Sequence, residues 1–470
     1  MKFHPVTAPI IESLKKILEP SRVIVDKDTL ENYAHDETPL YHTLPEVVVK
    51  PVSTDEVSRI MELAHEHVIP VTPRCGGTSL SGGAVPLRGG IVLSLELMDR
   101  IKEIDEKNFM AVVEPGVITE QFDKELARHG LFFPPDPVSS DSCMIGGNVA
   151  ECAGGPRAMK YGVTKNYVVG IEVVLADGTV QKYGGKLLKN VTGYDIIDLI
   201  VGSEGTLAVI TEVTVRVLSR PRYIVALLIP FMSIEDASEF TLQVLRQGIS
   251  PAAIEFMDGE AYRLVQKYLG RTLPHYEAGT HIIVELDGDE HERIRQQYDT
   301  TGEIALRCGA LDVYVGETSK DKIRIWEARK KMSDALKAET SPIAREDLVV
   351  PKDKIPRLIT RLKTHVQSYD ACLYAFGHLG DGNIHADIAA RKHEHPDQAT
   401  IMKLRKEIYE ITVSLGGTIT AEHGVGLSKI GFLSLAVSSE QIELMKRIKM
   451  AFDKKGILNP GKIFPGGDRT

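Results

Sequence analysis

The residues of this chain best suited to chemistry lie towards its C-terminal end, in Phe-Gly-His-Leu-Gly-Asp-Gly-Asn-Ile-His at 376 to 385 and Ala-Glu-His-Gly-Val-Gly at 421 to 426. The first stretch sets two histidines about Asp381-Gly382, the dipeptide most favoured in a two-residue hairpin loop because both central positions need positive φ. Such a loop puts Gly380 opposite Asn383, Leu379 opposite Ile384 and His378 opposite His385. Residues paired this way share a face of the ribbon with Cβ atoms about 5 Å apart, so both imidazoles can reach one ion. The spacing permits a metal and equally permits two polar residues on either side of a turn. Glu422 and His423 bring a carboxylate and an imidazole into a glycine-flanked loop. Arg329 and Ser333 are four apart on the predicted helix that carries Trp326, so they share a face. Arg345 follows at a predicted strand start. The guanidinium fork suits a carboxylate, although a single arginine is more often a solvated surface charge.

Elements that can position these residues follow from length and pattern. A chain of 470 residues exceeds one ordinary core and suggests two or three domains. The net charge of −9 argues against binding nucleic acid or an anionic membrane. No apolar run approaches the roughly 18 residues that cross a bilayer, and the first ten residues lack a signal-peptide core, which reads as a cytoplasmic protein. Cys75, Cys143, Cys152, Cys308 and Cys372 are scattered and contain no CxxC, so neither a disulfide framework nor an iron-sulfur cluster is expected. An electron-handling protein of this composition needs another carrier.

Glu46 to Val49 reads as a strand, Ser53-Thr-Asp-Glu56 as a capping box before a helix with Val57, Ile60, Met61 and Ala64 on one face, and Val68 to Thr72 as a second strand. This β-α-β unit runs into PRCGGTSLSGG, the first of three glycine clusters; IGGNVAECAGG and GSEGT are the others. Glycine lets backbone amides approach an anion without a Cβ in the way, although any one cluster is more often a tight turn. The first cluster fits neither the Walker loop nor the dinucleotide fingerprint and leads into another strand, which disfavours ATP and NAD. After Arg220-Pro221, strand-like runs at Ile224 to Phe231, Ala253 to Phe256, His281 to Leu286 and Asp312 to Val315 alternate with amphipathic helices, suggesting a separate α+β layer. Gln441 to Lys454 reads as a last helix after Ser438.

PRCGGTSLSGG, VEPGV, PPDP, IGGNVAECAGG, KYG, NVTGYD and GSEGTLAVIT, in this order and spacing, resemble the FAD domain of vanillyl-alcohol-oxidase type flavoproteins. Together with GHLGDGNIH, AEHGVG and LNPGKIF they resemble the branch holding the glycolate oxidase FAD subunit, D-lactate dehydrogenases and D-2-hydroxyglutarate dehydrogenase. The resemblance implies an α+β protein: a two-subdomain FAD-binding domain of the PCMH type at 1–220, a substrate cap domain with an antiparallel sheet and the metal site at 221–426, and a C-terminal helical segment at 427–470. It implies FAD held by Arg74, Cys75, Gly76, Gly77, Thr78 and Ser79, by Pro135 and Asp136, and by Gly146, Gly147, Asn148, Gly154 and Gly155. Tyr161, Gly162, Glu204, Gly205, Ile210 and Asn459 complete that set. Some relatives bind FAD covalently through a histidine in the first glycine loop; this loop has none, so noncovalent FAD is expected. Cys152 stands where relatives often carry Asn, and Cys143-Met144 replaces a common Ala-Thr.

The same resemblance makes His378, His385 and Glu422 ligands of a divalent Zn, Mn or Fe ion, His423 the catalytic base, and Arg329, Ser333 and Arg345 the binders of the substrate carboxylate, with Asn383 contacting flavin or substrate. Two histidines and a carboxylate leave coordination positions open for a ligand. Lys462, in NPGK, reads as structural. The implied activity is oxidation of a D-2-hydroxy acid, the D preference coming from the resemblance alone. The electrons would pass to an electron-transfer flavoprotein, an iron-sulfur subunit or a quinone-linked acceptor, and a homodimer is allowed. A flavin relay subunit and an alkyl-ether lipid synthase relative are alternative readings; neither has a use for the metal-type hairpin.

Overall fold

The first β-α-β unit forms because its helix has one apolar stripe and a side-chain cap. In the computed structural model, which describes residues 2–38, 40–391 and 396–464, the amide of Glu56 donates to Ser53 Oγ at 3.3 Å and the helix runs Thr54–His67. Val57, Ile60, Met61 and Ala64 are fully buried against Val47, Val49, Val71 and Ile91. Each larger side chain of that set contributes about 1.5–3 kcal/mol by leaving water. The helix ends at Val68 in the left-handed region, so the second strand starts later than its apolar run suggests, at Val71–Arg74.

The chain divides into two units. The first comprises the described parts of Met1–Gly154, Val163–Arg220 and Glu422–Thr470. It holds a four-stranded sheet in the order Val23–Ile24, Val47–Val49, Ile91–Ser94, Val71–Arg74, the last three parallel. Its second sheet is antiparallel, in the order Ile101–Asp105, Met110–Val113, Val209–Arg216, Val168–Val174, Val180–Gly184.

The second unit comprises Gly155–Gly162 and Pro221–Ala421. Its seven-stranded antiparallel sheet runs Tyr314–Gly316, Tyr223–Phe231, Thr280–Gly288, Ala253–Asp258, Ala371–His378, Asn383–Ala390, Pro342–Val349. The fold class is therefore α+β, with helices beside both kinds of sheet. No helix among the described residues is long and apolar enough to cross a membrane.

Three local expectations change. The histidine hairpin has a four-residue connection, so His378 pairs with Asn383 and His385 with Phe376. Its His378 carbonyl accepts from the amides of Asp381 and Gly382 at 3.3 and 3.1 Å, only Gly382 having positive φ of the Asp381-Gly382 pair. The reason is tertiary: Leu379 is buried, and the Gly380 amide donates to Ile254 on the neighbouring strand at 3.1 Å. The helix carrying Trp326 stops at Lys330 and a second begins at Met332, so Arg329 and Ser333 lie on successive helices. Arg345 sits inside the strand Pro342–Val349 rather than at its start.

Candidate active site

Antiparallel register builds one half of the site. Across three strand pairs of the second unit, Glu255, His378, Asn383 and Val349 form one row, and Met257, Phe376, His385 and Asp347 form the row two residues along. A third row carries Tyr374, Asp387 and Arg345. Side chains two apart on a strand share a face, so these rows present their polar groups on one side of the sheet. The two histidines are thus diagonal neighbours, with ring centroids 5.3 Å apart and planes at 82°.

Every charge on this face is matched. Glu255 is 0% exposed, and a lone carboxylate there would cost several kcal/mol. One oxygen accepts a short hydrogen bond from Nδ1 of His378 and the other accepts from Arg329 Nε at 2.8 Å. Burial opposes ionisation of Glu255, but the His378 and Arg329 charges outweigh it and hold the carboxyl below its ordinary range. Arg329 is itself buried, lies over the Phe376 ring at 5.0 Å, and keeps Nη2 buried without a hydrogen-bond partner among the described residues. Asp347 accepts from Asn383 Nδ2 at 2.7 Å, from Thr420 Oγ1 at 2.9 Å and from the Ala421 amide at 2.9 Å, with His385 Nδ1 at 3.9 Å. Arg345 reaches Asp387 at 3.4 Å and donates to Ser333 Oγ at 3.4 Å. Asn383 spends its amide hydrogens on Asp347 and on the Leu348 carbonyl at 3.0 Å, leaving Oδ1 for any further contact. Metal-ligating histidines usually face a carboxylate or carbonyl with the second ring nitrogen. A carboxylate stands near Nδ1 of both His378 and His385, so this pair fits the imidazole part of a metal site.

Glu422 and His423 belong to the first unit, where their atoms Oε1 and Nε2 are 3.9 Å apart. A Cβ at Gly154 would stand 2.7 Å from Glu422 Oε2, so a larger residue there would displace the end of the Glu422 side chain. The loop that follows is held by Glu204, whose carboxylate accepts from the amides of Val425 at 2.8 Å and Gly426 at 2.7 Å. Desolvation, reinforced by Glu204, pushes the Glu151 carboxyl well above its usual range; desolvation also raises Glu204 against the pull of its amide donors.

Several residues expected at the cofactor also tie loops together. Arg74 is buried, with Nη1 donating to the His35 carbonyl at 2.7 Å. Asn148 donates to Thr119 Oγ1 at 2.7 Å, and Asn459 donates to the carbonyls of Gly83 at 3.1 Å and Glu204 at 2.7 Å. Lys462 donates to Gly83, Val85 and Asn459 oxygens, and burial lowers its pKa to about 8. Ile210 is buried in its strand, and Pro135 is buried beside the half-exposed Asp136. The backbone offers the cofactor-type feature. From Gly76 to Ser79 no amide donates to another described residue, and this part-exposed loop can give successive N–H groups to a pyrophosphate. Gly155, Tyr161 and Gly162 lie in the segment assigned to the second unit, where Tyr161 donates to Asp287 at 2.7 Å.

Glu255 and Asp347 escaped the motif reading. The usable signal was a charged residue inside an apolar strand run, Ala-Ile-Glu-Phe-Met, since buried Glu requires partners.

Residues 45–184 match the FAD binding domain family, and residues 220–463 match the family described as FAD linked oxidases, C-terminal domain. The chain is 40% identical over 464 residues to a D-lactate dehydrogenase of Archaeoglobus fulgidus, covering 96% of this chain and 98% of that one. It is 39% identical to the glycolate oxidase subunit GlcD of Bacillus subtilis, covering 92% of each, and 32% identical to a D-2-hydroxyglutarate dehydrogenase of Stutzerimonas stutzeri, covering 97% and 98%. The fold matches 4-ethylphenol oxidase from Gulosibacter chungangensis with a TM-score of 0.79 at 20% identity, covering 98% of this chain and 97% of that one. It also matches p-cresol methylhydroxylase with a TM-score of 0.78 at 16% identity, covering 96% and 95%.

Proposed function

The chain belongs to the FAD-linked oxidases, and from that premise we propose that it oxidises a D-2-hydroxy acid of the D-lactate, glycolate or D-2-hydroxyglutarate class to the 2-oxo acid. The observation that carries this reading is the sheet face on which His378 and His385 stand 5.3 Å apart, beside the Arg329 and Arg345 guanidinium groups. A chemistry that removes a proton from a hydroxyl and a hydride from the adjacent carbon needs such cations to hold the acid.

In this reading FAD would be bound noncovalently, with the Gly76 to Ser79 amides on its pyrophosphate, and His378 and His385 would offer their imidazoles to a divalent Zn, Mn or Fe ion for which Glu422 is the proposed carboxylate ligand. When bound, the flavin would supply a hydride acceptor and the ion would lower the pKa of the substrate hydroxyl. Arg329, through Nη2, and Arg345, steadied by Ser333 and Asp387, orient the carboxylate. His423 takes the hydroxyl proton. Asp347 fixes the end of the segment from which Glu422 and His423 continue, because it accepts from both Thr420 and Ala421. Electrons then leave to an electron-transfer flavoprotein, an iron-sulfur subunit or a quinone-linked acceptor.

Anaerobic mixing of the FAD-loaded, metal-reconstituted protein with D-lactate, glycolate and D-2-hydroxyglutarate tests the proposal through flavin absorbance. Bleaching by one of the acids is expected, with little response to an L-antipode, and His423→Ala is expected to slow it at least about a hundredfold. Absence of bleaching with every acid would overturn the reading.

A further inference from the structure

The sequence motifs draw attention to His378, but the residue that decides what this imidazole can do lies 123 positions away in the chain. Glu255 is directly opposite His378 in the register of Ala253–Asp258 against Ala371–His378, and both residues are buried. The two oxygens of Glu255 are divided, one to the imidazole Nδ1 and one to the Arg329 Nε. An anionic carboxylate only accepts, so the hydrogen between it and the ring belongs to Nδ1. A salt bridge serving stability alone would be satisfied by the arginine fork; here Arg329 gives Glu255 its Nε and keeps Nη2 unused among the described residues.

We infer that Glu255 is a positioning residue: shared between His378 Nδ1 and Arg329 Nε, it fixes the imidazole as the tautomer whose Nε2 is offered to a divalent cation, and it locks the guanidinium beside it. The inference rests on the reading of His378 as a metal ligand. Carboxylates that orient ligating histidines in this way also raise the basicity of the ligand, and their loss commonly weakens metal binding by about 10–100-fold.

Glu255→Gln isolates the effect because it keeps the shape. Its amide oxygen can still accept from Arg329, but its NH2 then meets Nδ1 as a donor and drives the ring proton to Nε2, the nitrogen required for the metal. Two measurements on the FAD-loaded full chain read this out. In metal-free, nitrogen-15 histidine-labelled protein at pH 8, with His378 assigned by the loss of its signals in His378→Gln, the wild type is expected to show a protonated Nδ1 and a bare Nε2, and Glu255→Gln the reverse. In chelator competition, Zn²⁺ affinity is expected to fall about 10–100-fold in Glu255→Gln and to recover in part in Glu255→Asp, which restores an acceptor. Arg329→Met is expected to leave the tautomer unchanged. A wild-type His378 that carries its proton on Nε2, or a Glu255→Gln protein that binds Zn²⁺ like the wild type, overturns the inference. If Glu255→Gln does not fold, the wild-type nitrogen shifts and Glu255→Asp decide it. A wild type that binds no Zn²⁺, Mn²⁺ or Fe²⁺ overturns the ligand reading of His378 instead, and the nitrogen shifts still report on the tautomer.

Discussion

A carboxylate in the middle of an apolar strand must be matched by charge, and Glu255 is matched from two sides. Removing one partner of a buried ion pair is far more damaging than replacing the pair, since it strands a charge. Arg329→Met is therefore expected to lower the unfolding free energy by about 3 kcal/mol, and Arg329→Met with Glu255→Gln to regain most of that loss, as urea unfolding would show. A buried histidine makes a second case. His281 stacks on Tyr262 with centroids 3.5 Å apart and directs Nε2 at the His275 carbonyl at 2.9 Å. Burial drives its pKa down to about 4 from 6.5, against the pull of that carbonyl. Between those values the unfolded chain binds more protons, so stability rises with pH through the window and is lost on acidification from 6.5 towards 4, by about 3 kcal/mol in full. His281→Phe keeps a ring on Tyr262 and removes the titration. Its stability deficit against the wild type is expected to shrink as urea midpoints are followed from pH 7 to 4.5.

At the scale of elements, the hairpin loop and the short helix of the second glycine motif are set by backbone geometry. Gly382 has φ of +100°, and a Cβ there would lie 2.3 Å from the Val350 carbonyl oxygen, which belongs to the backbone and cannot yield. Gly380 is also crowded, but by the sulfur end of Met159 at 2.3 Å, which can swing away. Gly382→Ala is expected to cost about 2 kcal/mol or more and to lower bound metal, whereas Gly380→Ala should cost less than about 1 kcal/mol; melting curves and metal analysis separate the two. The helix Ile145–Glu151 ends on Cys152 at φ 54°, ψ 48°, a left-handed position that Gly and Asn tolerate better than Cys. Cys152→Asn is expected to gain stability in urea unfolding of the holoprotein, by less than the cost of a left-handed residue, about 1–2 kcal/mol.

Across the whole molecule, each unit has its own sheets and buried cores, and the chain contributes to the first unit three separate times. Ligand binding adds stability to the state that binds it, about 2.7 kcal/mol at a hundred times Kd. FAD added to the flavin-free protein is accordingly expected to raise the calorimetric transition that includes the Gly76 to Ser79 loop, with a shift that grows with FAD concentration; a transition indifferent to FAD would contradict the assignment of that loop. Sequence by itself determined the parts governed by short-range rules. The Ser53 cap and the stripe from Val57 to Ala64 mark a helix, the alternating apolar runs mark the strands of both units, and the joint glycine motifs mark the family. Only the tertiary structure decided how those parts meet. The hairpin loop lengthens because Leu379 is buried and Ile254 captures the Gly380 amide, so His378 comes to face Asn383 instead of His385. Glu255 reaches His378 through pairing of strands more than a hundred residues apart, and no local pattern encodes a register that is chosen by the packing of the whole sheet.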